Sequence, residues 1–177
     1  MDYRVITSRD NANIQILQIC QEINSLKPLP GETLVFDLSQ YAETTPFSNL
    51  VLINAISRFR ENHPTNQLFC KRKADDGYLQ HIGFYKASGF PLGKDPGEAK
   101  ANPNYVPVTL VQFDHLFYQK IEGMTDELAA TIKFDSELQQ SLSYYFQESI
   151  RNAYEHAETD FALVAAQNWP SIYIQCG

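Results

Sequence analysis

Three cysteines, Cys20, Cys70 and Cys176, are scattered through 177 residues without paired spacing. This sparse, odd count argues against a disulfide framework or a cysteine zinc site, and it favours a reducing compartment. No apolar run reaches the roughly 20 residues that span a bilayer. The opening MDYRVIT lacks the charged and apolar regions of a signal peptide. We therefore expect a cytoplasmic protein without a membrane partner.

Basic residues are also few relative to acidic ones. Lys and Arg total 14 against 21 Asp and Glu, which gives a formal net charge of -7. Because nucleic-acid binding needs a basic surface, this balance argues against a nucleic-acid partner. Aromatic bulk is present instead, with 11 Phe, 10 Tyr and 44% hydrophobic residues. That composition supports one generous folded domain, or one domain and part of another.

The first half alternates strand-like and helix-like segments. In chain order these are strand 3–7, helix 11–26, strand 33–38, a helix from Pro46, strand 67–70 and a helix over about 75–86. This alternation predicts an α/β fold with a mostly parallel or mixed sheet covered by helices. Glycines and prolines then predict a loop, and 106–113 resumes as a strand in which Pro107 marks an edge or the strand's start.

The second half has a different character. Residues 125–157 contain neither glycine nor proline and predict one or two long helices. Short strands are predicted after them, at 161–166 and 172–174. We place a boundary near residues 121–124, which divides the chain into domains 1–120 and 121–177.

The stretches 35–41 (VFDLSQY) and 45–54 resemble the centre of a STAS domain, in which a buried strand ends in Asp and a turn leads into a helix. The stretch 78–86, followed by Gly89-Phe90, is similar to a later helix of that family. The resemblance covers about residues 1–113. It implies a mixed sheet covered by helices that serves as a protein-interaction domain.

In STAS proteins a hydroxyl at this strand-to-helix turn can be a phosphorylation switch, because a helix N-terminus favours negative charge. Thr44, Thr45 and Ser48 are the nearby hydroxyls here. The alternative is that Thr44 or Thr45 only caps the helix. We favour the cap, because a STAS-like fold often serves only as an interaction module.

A second pattern lies in 146–157, FQESIRNAYEHA. At about 100° per residue, Asn152 lies about 40° and His156 about 80° from Glu148, so the three share one stripe. The opposite side is apolar and consists of Leu142, Phe146, Ile150, Ala153 and Ala157. The pattern predicts an amphipathic helix whose acid, amide and imidazole face away from its core. An ordinary solvated helix face has the same appearance.

The order Glu-x-x-x-Asn-Ala-x-x-His resembles the N-box of the GHKL superfamily, which includes gyrase, histidine kinases and anti-sigma kinases. The resemblance implies that Asn152 binds Mg²⁺ through its amide oxygen, a hard ligand for a hard cation. It further implies that Glu148 is the general base for the attacking group, and that His156 lies near the phosphates. Mg-ATP is the implied cofactor.

The resemblance is partial. GHKL sites also use an Asp-x-Gly-x-Gly box, whose Asp accepts the adenine amino group, and a glycine-rich lid, and neither follows the N-box here. We therefore expect 121–177 to be the first part of an incomplete α/β sandwich. The chain is then either a fragment of a longer parent protein that binds Mg-ATP, or a form that lost the nucleotide-binding half. Whether that parent is an ATPase or a protein kinase stays open.

Two functional hypotheses follow. In the first, the parent is a regulatory or signalling protein that binds Mg-ATP and contacts a protein partner through its STAS-like domain. In the second, the chain is a non-catalytic interaction module whose C-terminal segment is a structural or dimerisation element. The aromatic side chains that would line such an interface are Tyr144, Tyr145, Phe146, Tyr154 and Trp169.

Overall fold

The computed structural model describes residues 2–6, 12–41, 45–100, 104–131, 136–156, 160–168 and 174–176. The amino-terminal elements are β1 (Asp2–Ile6), α1 (Ala12–Ser25), β2 (Thr33–Gln40), α2 (Pro46–Asn62), β3 (Gln67–Lys71), α3 (Gly77–His81) and α4 (Phe84–Ala87). The later elements are β4 (Tyr105–Gln112), α5 (Phe117–Thr131), α6 (Ser136–His156), β5 (Phe161–Asn168) and β6 (Ile174–Cys176). The predicted α/β class is confirmed. None of the helices described has the length and apolar character needed to cross a bilayer.

The first sheet is parallel, in the order β1-β2-β3. Helix α1 connects β1 to β2 and α2 connects β2 to β3, and the two helices pack against each other. Leu34, Phe36 and Leu38 of β2 are buried beneath them. On the other face Phe69 remains 54% exposed, because successive side chains of a strand alternate between faces.

The second sheet is antiparallel, in the order β4-β5-β6. Its strands alternate between two cores. Val108 and Ala165 join the core formed with α1, β2 and α2, whereas Val106 and Val164 join a core formed with α5 and α6. The β4–β5 pair therefore lies between the two halves of the chain. By its pairing β4 belongs to the second sheet, although it precedes the boundary predicted at residue 120.

A β-bulge in β4 connects this strand to the amino-terminal half. The register with β5 shifts between Val106 and Thr109, on either side of Pro107. At the bulge the Val108 N–H donates to the Ile82 carbonyl at 2.9 Å, and the Gly97 N–H donates to the Val108 carbonyl at 2.8 Å. Pro107 lacks a donor and is tolerated at such a position. The order of the described strands places β4 at an edge, as Pro107 predicts.

The helix predicted over about 75–86 is interrupted. It forms two short helices, α3 and α4, separated at Gly83, whose φ of +85° belongs to the left-handed region. A Cβ at this position would lie 3.2 Å from the Pro96 backbone, so only glycine fits without a shift. The break also turns the Ile82 carbonyl toward Val108. A tertiary contact thus ends a helix that the local pattern would continue.

The fifth helix begins earlier than predicted. It starts at Phe117 and passes through Gly123, where the sequence suggested a boundary. Phe117 and Ile121, one turn apart, are 1% and 4% exposed and belong to the second core. Burying each of two such side chains contributes about 1.5–3 kcal/mol, which outweighs the cost of about 1 kcal/mol for a glycine inside a helix.

We expect loss of the α2 cap to destabilise the fold. The Ser48 N–H donates to Thr45 Oγ1 at 3.0 Å, and the Thr45 N–H donates to Ser48 Oγ at 2.8 Å, which forms a capping box. Thr45→Ala should lower the free energy of unfolding by about 1 kcal/mol, because one of these donors loses its acceptor. Urea unfolding at neutral pH measures this change.

The exposed Thr65→Ala variant, in the loop after α2, is the matched control and should change the free energy of unfolding by less than about 0.5 kcal/mol. Equal losses in the two variants would contradict the cap.

Asp37 forms a polar contact between β2 and β3. Its Oδ1 accepts from the Ser39 N–H at 3.0 Å and from Ser39 Oγ at 2.5 Å, and its Oδ2 accepts from Lys71 Nζ at 2.9 Å. The Ser39 hydroxyl and then the Lys71 ammonium stabilise the carboxylate form and hold the pKa of Asp37 well below its ordinary value near 3.8.

The lowered pKa of Asp37 predicts acid sensitivity. Asp37 binds a proton more readily in the unfolded chain than in the folded protein. The stabilisation that its carboxylate gives the fold is therefore complete above the ordinary pKa, and it declines as the pH falls below that value. We expect Asp37→Asn to lower the free energy of unfolding at neutral pH. The difference between the variant and the wild type should shrink as the pH falls to about 2.5. Urea unfolding across this range tests it, with the exposed Asp75→Asn as control. A constant difference between Asp37→Asn and the wild type would contradict the expectation.

Candidate functional site

The stripe predicted near the end of the chain lies on α6, a helix of 21 residues. Phe146 and Ile150, on its apolar side, are 7% and 8% exposed and pack in the second core with α5 and β5. The opposite side of α6 therefore faces solvent. The predicted helix and its two-sided character are confirmed over the described residues, which do not include Ala157.

The three predicted site residues lie along the solvent side of α6. Glu148 is half-buried, and Asn152 and His156 are exposed. Among the residues that the structure describes, no side-chain hydrogen bond joins Asn152 or His156 to another residue. Successive members are four residues apart, so each lies about 6 Å farther along the helix axis. The amide oxygen of Asn152 is thus open to a ligand, with a carboxylate on one side and an imidazole on the other.

Glu148 forms an ion pair within the same helix. Arg151 Nη2 donates to Glu148 Oε2, and Arg151 Nε lies 3.7 Å from Glu155 Oε1. The guanidinium therefore lies between two carboxylates. Because the Arg151 side chain is 44% exposed, water screens the pair, and such contacts contribute only about 0–1 kcal/mol. A contact this weak leaves the Glu148 carboxylate able to accept a hydrogen bond from a bound molecule.

A small cavity opens beside Glu148, between α5 and α6. Its volume is about 170 Å³, and its lining consists of Tyr118, Ile121, Glu122, Gln147, Glu148 and Arg151. Pockets that enclose a small molecule usually measure about 300–1,000 Å³. This cavity can therefore admit one side chain or a small group, but it does not enclose a nucleotide.

The stripe offers few donors to a metal ion. Among the described residues, no cluster of three or more His, Cys, Asp or Glu side chains could hold a metal. Mg²⁺ commonly keeps water ligands and takes only one or two protein oxygens when it also binds phosphates. A single exposed amide oxygen at Asn152 fits that mode. The chemistry of the donors is thus compatible with Mg-ATP and does not suit a closed structural metal site.

A polar connection between α5 and α6 positions the stripe. Thr125 on α5 is fully buried, and Ser143 Oγ and Gln147 Nε2 of α6 each donate to its Oγ1 at 3.3 Å. Thr125 Oγ1 in turn donates to the Ile121 carbonyl at 2.9 Å. Thr125, Ser143 and Gln147 were not among the predicted site residues. Ser143 and Gln147 are four residues apart and therefore share one side of α6. This spacing could have indicated a polar contact, but it does not identify the partner helix.

The hydroxyls at the start of α2 are used in folding. Ser48 is fully buried, and its backbone and side chain complete the capping box with Thr45. The cap interpretation is therefore confirmed for Thr45, whereas Thr44 lies outside the described residues. A phosphate on Ser48 would need this helix start to open.

The described thiols do not contribute a nucleophile. Burial raises the pKa of Cys20 to about 11 and that of Cys70 to about 12, so both stay protonated at neutral pH. Cys20 and Cys70 are both free of disulfides.

The aromatic residues proposed to line an interface divide into two groups. Tyr144 and Tyr145 are 63% and 62% exposed on α6, and Tyr154 is 43% exposed. Phe146 is buried in the second core, so it is not available to a partner. Trp169 lies outside the described residues. The two exposed tyrosines are one turn before Glu148, on the same solvent side of the helix.

Comparison of the chain with protein-family models, with curated proteins and with solved structures found no match.

We expect Asn152 to be unimportant for folding. Its side chain is exposed, so Asn152→Ala should change the free energy of unfolding by less than about 0.5 kcal/mol. Ile150→Ala, two residues away in the second core, should cost about 2–5 kcal/mol and serves as the comparison. Urea unfolding measures both. A loss of the same size at Asn152 would mean that the amide supports the fold.

Proposed function

We propose that this chain forms part of a regulatory protein that binds Mg-ATP along the solvent side of α6. Residues 121–177 would contribute the N-box portion of a GHKL-type sandwich, and residues 1–120 a STAS-like domain that binds a protein partner. The observation that carries the proposal is the open stripe Glu148, Asn152 and His156 on a helix whose other side is buried.

The proposed roles follow from the chemistry of each side chain. Asn152 would bind Mg²⁺ through its amide oxygen, and the bound ion would neutralise phosphate charge. Glu148 would accept the proton of the attacking water or hydroxyl, for which it must leave Arg151. His156, one turn beyond Asn152, would donate a hydrogen bond to a phosphate oxygen. Enclosing the adenine would require residues besides those in the 170 Å³ cavity.

Mg-ATP should stabilise the full-length protein against heat. At about 100 times its Kd, a ligand selective for the folded state contributes about 2.7 kcal/mol and raises Tm by several degrees. Asn152→Ala should abolish the shift, and removal of Mg²⁺ with EDTA should do the same. Ser149→Ala, an exposed neighbour on α6, is the matched control and should keep the wild-type shift.

An Asn152→Ala protein that retains the full shift would contradict the assignment of the metal ligand. A wild-type protein without any shift would contradict nucleotide binding. If that protein also sediments as a stable dimer, the second function is favoured, a non-catalytic interaction module. The exposed pair Tyr144 and Tyr145 and the exposed Phe69 of β3 are the observations that support this second candidate.

A further inference from the structure

A larger cavity lies at the edge of the second sheet, away from the α6 stripe. Its volume is about 600 Å³, within the range of about 300–1,000 Å³ for small-molecule pockets. It is bounded by the loop before β4, by β4 itself and by α5. The lining consists of Gly97, Ala99, Lys100, Val106, Pro107, Thr109, Leu110, Val111, Lys120 and Met124.

The β4 bulge helps to form this cavity. The Gly97 N–H donates to the Val108 carbonyl at 2.8 Å, and this contact fixes the loop beside the strand. The Val108 N–H donates to the Ile82 carbonyl, so a hydrogen bond attaches the strand to the amino-terminal half at this point. Beyond Val108 the loop, the strand and α5 surround the open space. The cavity is therefore built from three connected elements and not from a single surface loop.

Part of the cavity wall is apolar. Ala99, Val106 and Val111 are 4%, 3% and 3% exposed, and Pro107 is also buried. Leu110, which is 41% exposed, and the half-buried Met124 extend this surface toward the opening. An apolar group that entered would be removed from water, which favours its binding.

The rim of the cavity is cationic. Lys100 and Lys120 are both exposed lining residues, and no carboxylate is among the described residues of the lining. Lys120 Nζ donates to Asp114 Oδ2 at 2.7 Å, so part of its charge is already neutralised. Lys100 forms no ion pair with another described residue.

We propose that this cavity binds a small amphipathic anion, with its apolar body against β4 and α5 and its carboxylate at Lys100 and Lys120. The apolar wall selects for a hydrocarbon or aryl group, and the two ammonium groups select for a negative head group over a neutral one. The proposal is independent of nucleotide binding at α6.

Isothermal titration with octanoate, and with octanamide as its neutral analogue of equal chain length, tests the proposal. We expect one octanoate per chain, bound more tightly than octanamide. The Lys100→Gln, Lys120→Gln double variant should weaken octanoate binding about five- to tenfold, because each partly exposed ion pair contributes a modest share. Its affinity for octanamide should be unchanged.

Two further variants serve as matched controls. The Lys73→Gln, Lys86→Gln double variant makes the same change of charge at lysines that do not line the cavity, and it should bind octanoate like the wild type. Leu110→Trp places a larger side chain at the opening and should weaken binding of both ligands. Circular dichroism establishes that each variant is folded.

Absence of octanoate binding would overturn the proposal. It would equally be overturned if octanoate and octanamide bound with the same affinity, or if the control lysine variant weakened octanoate binding as much as the cavity variant. Unchanged binding to Leu110→Trp would place the ligand elsewhere and would also refute it.

Discussion

The pairing of β4 with β5 is the interaction on which the rest of the structure depends. Each strand places alternate side chains in two different cores, so the pair is buried from both sides. Val108 and Ala165 complete the amino-terminal core, and Val106 and Val164 complete the core beneath α5 and α6. Hydrogen bonds across the bulge and from α3 add to this connection. Tyr78 donates to Gln167 at 2.8 Å, and His81 and Tyr105 share a hydrogen bond of 2.5 Å.

This pairing explains how a polar stripe can be held in place at the surface. The core under α6 fixes the direction of its apolar side, and Thr125 fixes its rotation through contacts with Ser143 and Gln147. The exposed side chain of Asn152 therefore takes no part in holding α6 in place. The same arrangement leaves the outer edge of β4 beside the larger cavity, so the two candidate sites lie on separate surfaces.

Much of the fold follows from local sequence patterns. Thr45-Pro46 correctly predicts the start of α2, because a capping hydroxyl and a proline both suit a first helical turn. The apolar residues along α6 recur at helical spacing, and this local pattern predicts its buried side. The break at Gly83 and the helix through Gly123 were not predicted, since each is decided by a distant packing partner. The pairing of β4 with β5 joins strands separated by two helices, and no local pattern encodes it.

The candidate stripe was predictable because its three residues share one helix face. The polar connection through Thr125 and the cavity beside β4 were not, since each combines elements distant in the chain. Periodicity identifies which side of a helix is polar, but it does not reveal which neighbouring element lies there. For that reason the sequence predicted the polar side of α6 and gave no sign of the second cavity.

The burial of β4 between two cores has a consequence for dissecting the protein. A fragment ending at residue 120 would retain β4 but lack β5, and it would expose a row of N–H and C=O groups together with Val106 and Val111. Such an edge readily recruits strands from neighbouring molecules. Cleavage at that position would therefore yield self-associating material, whereas a cut before Tyr105 would keep β4 with its natural partner.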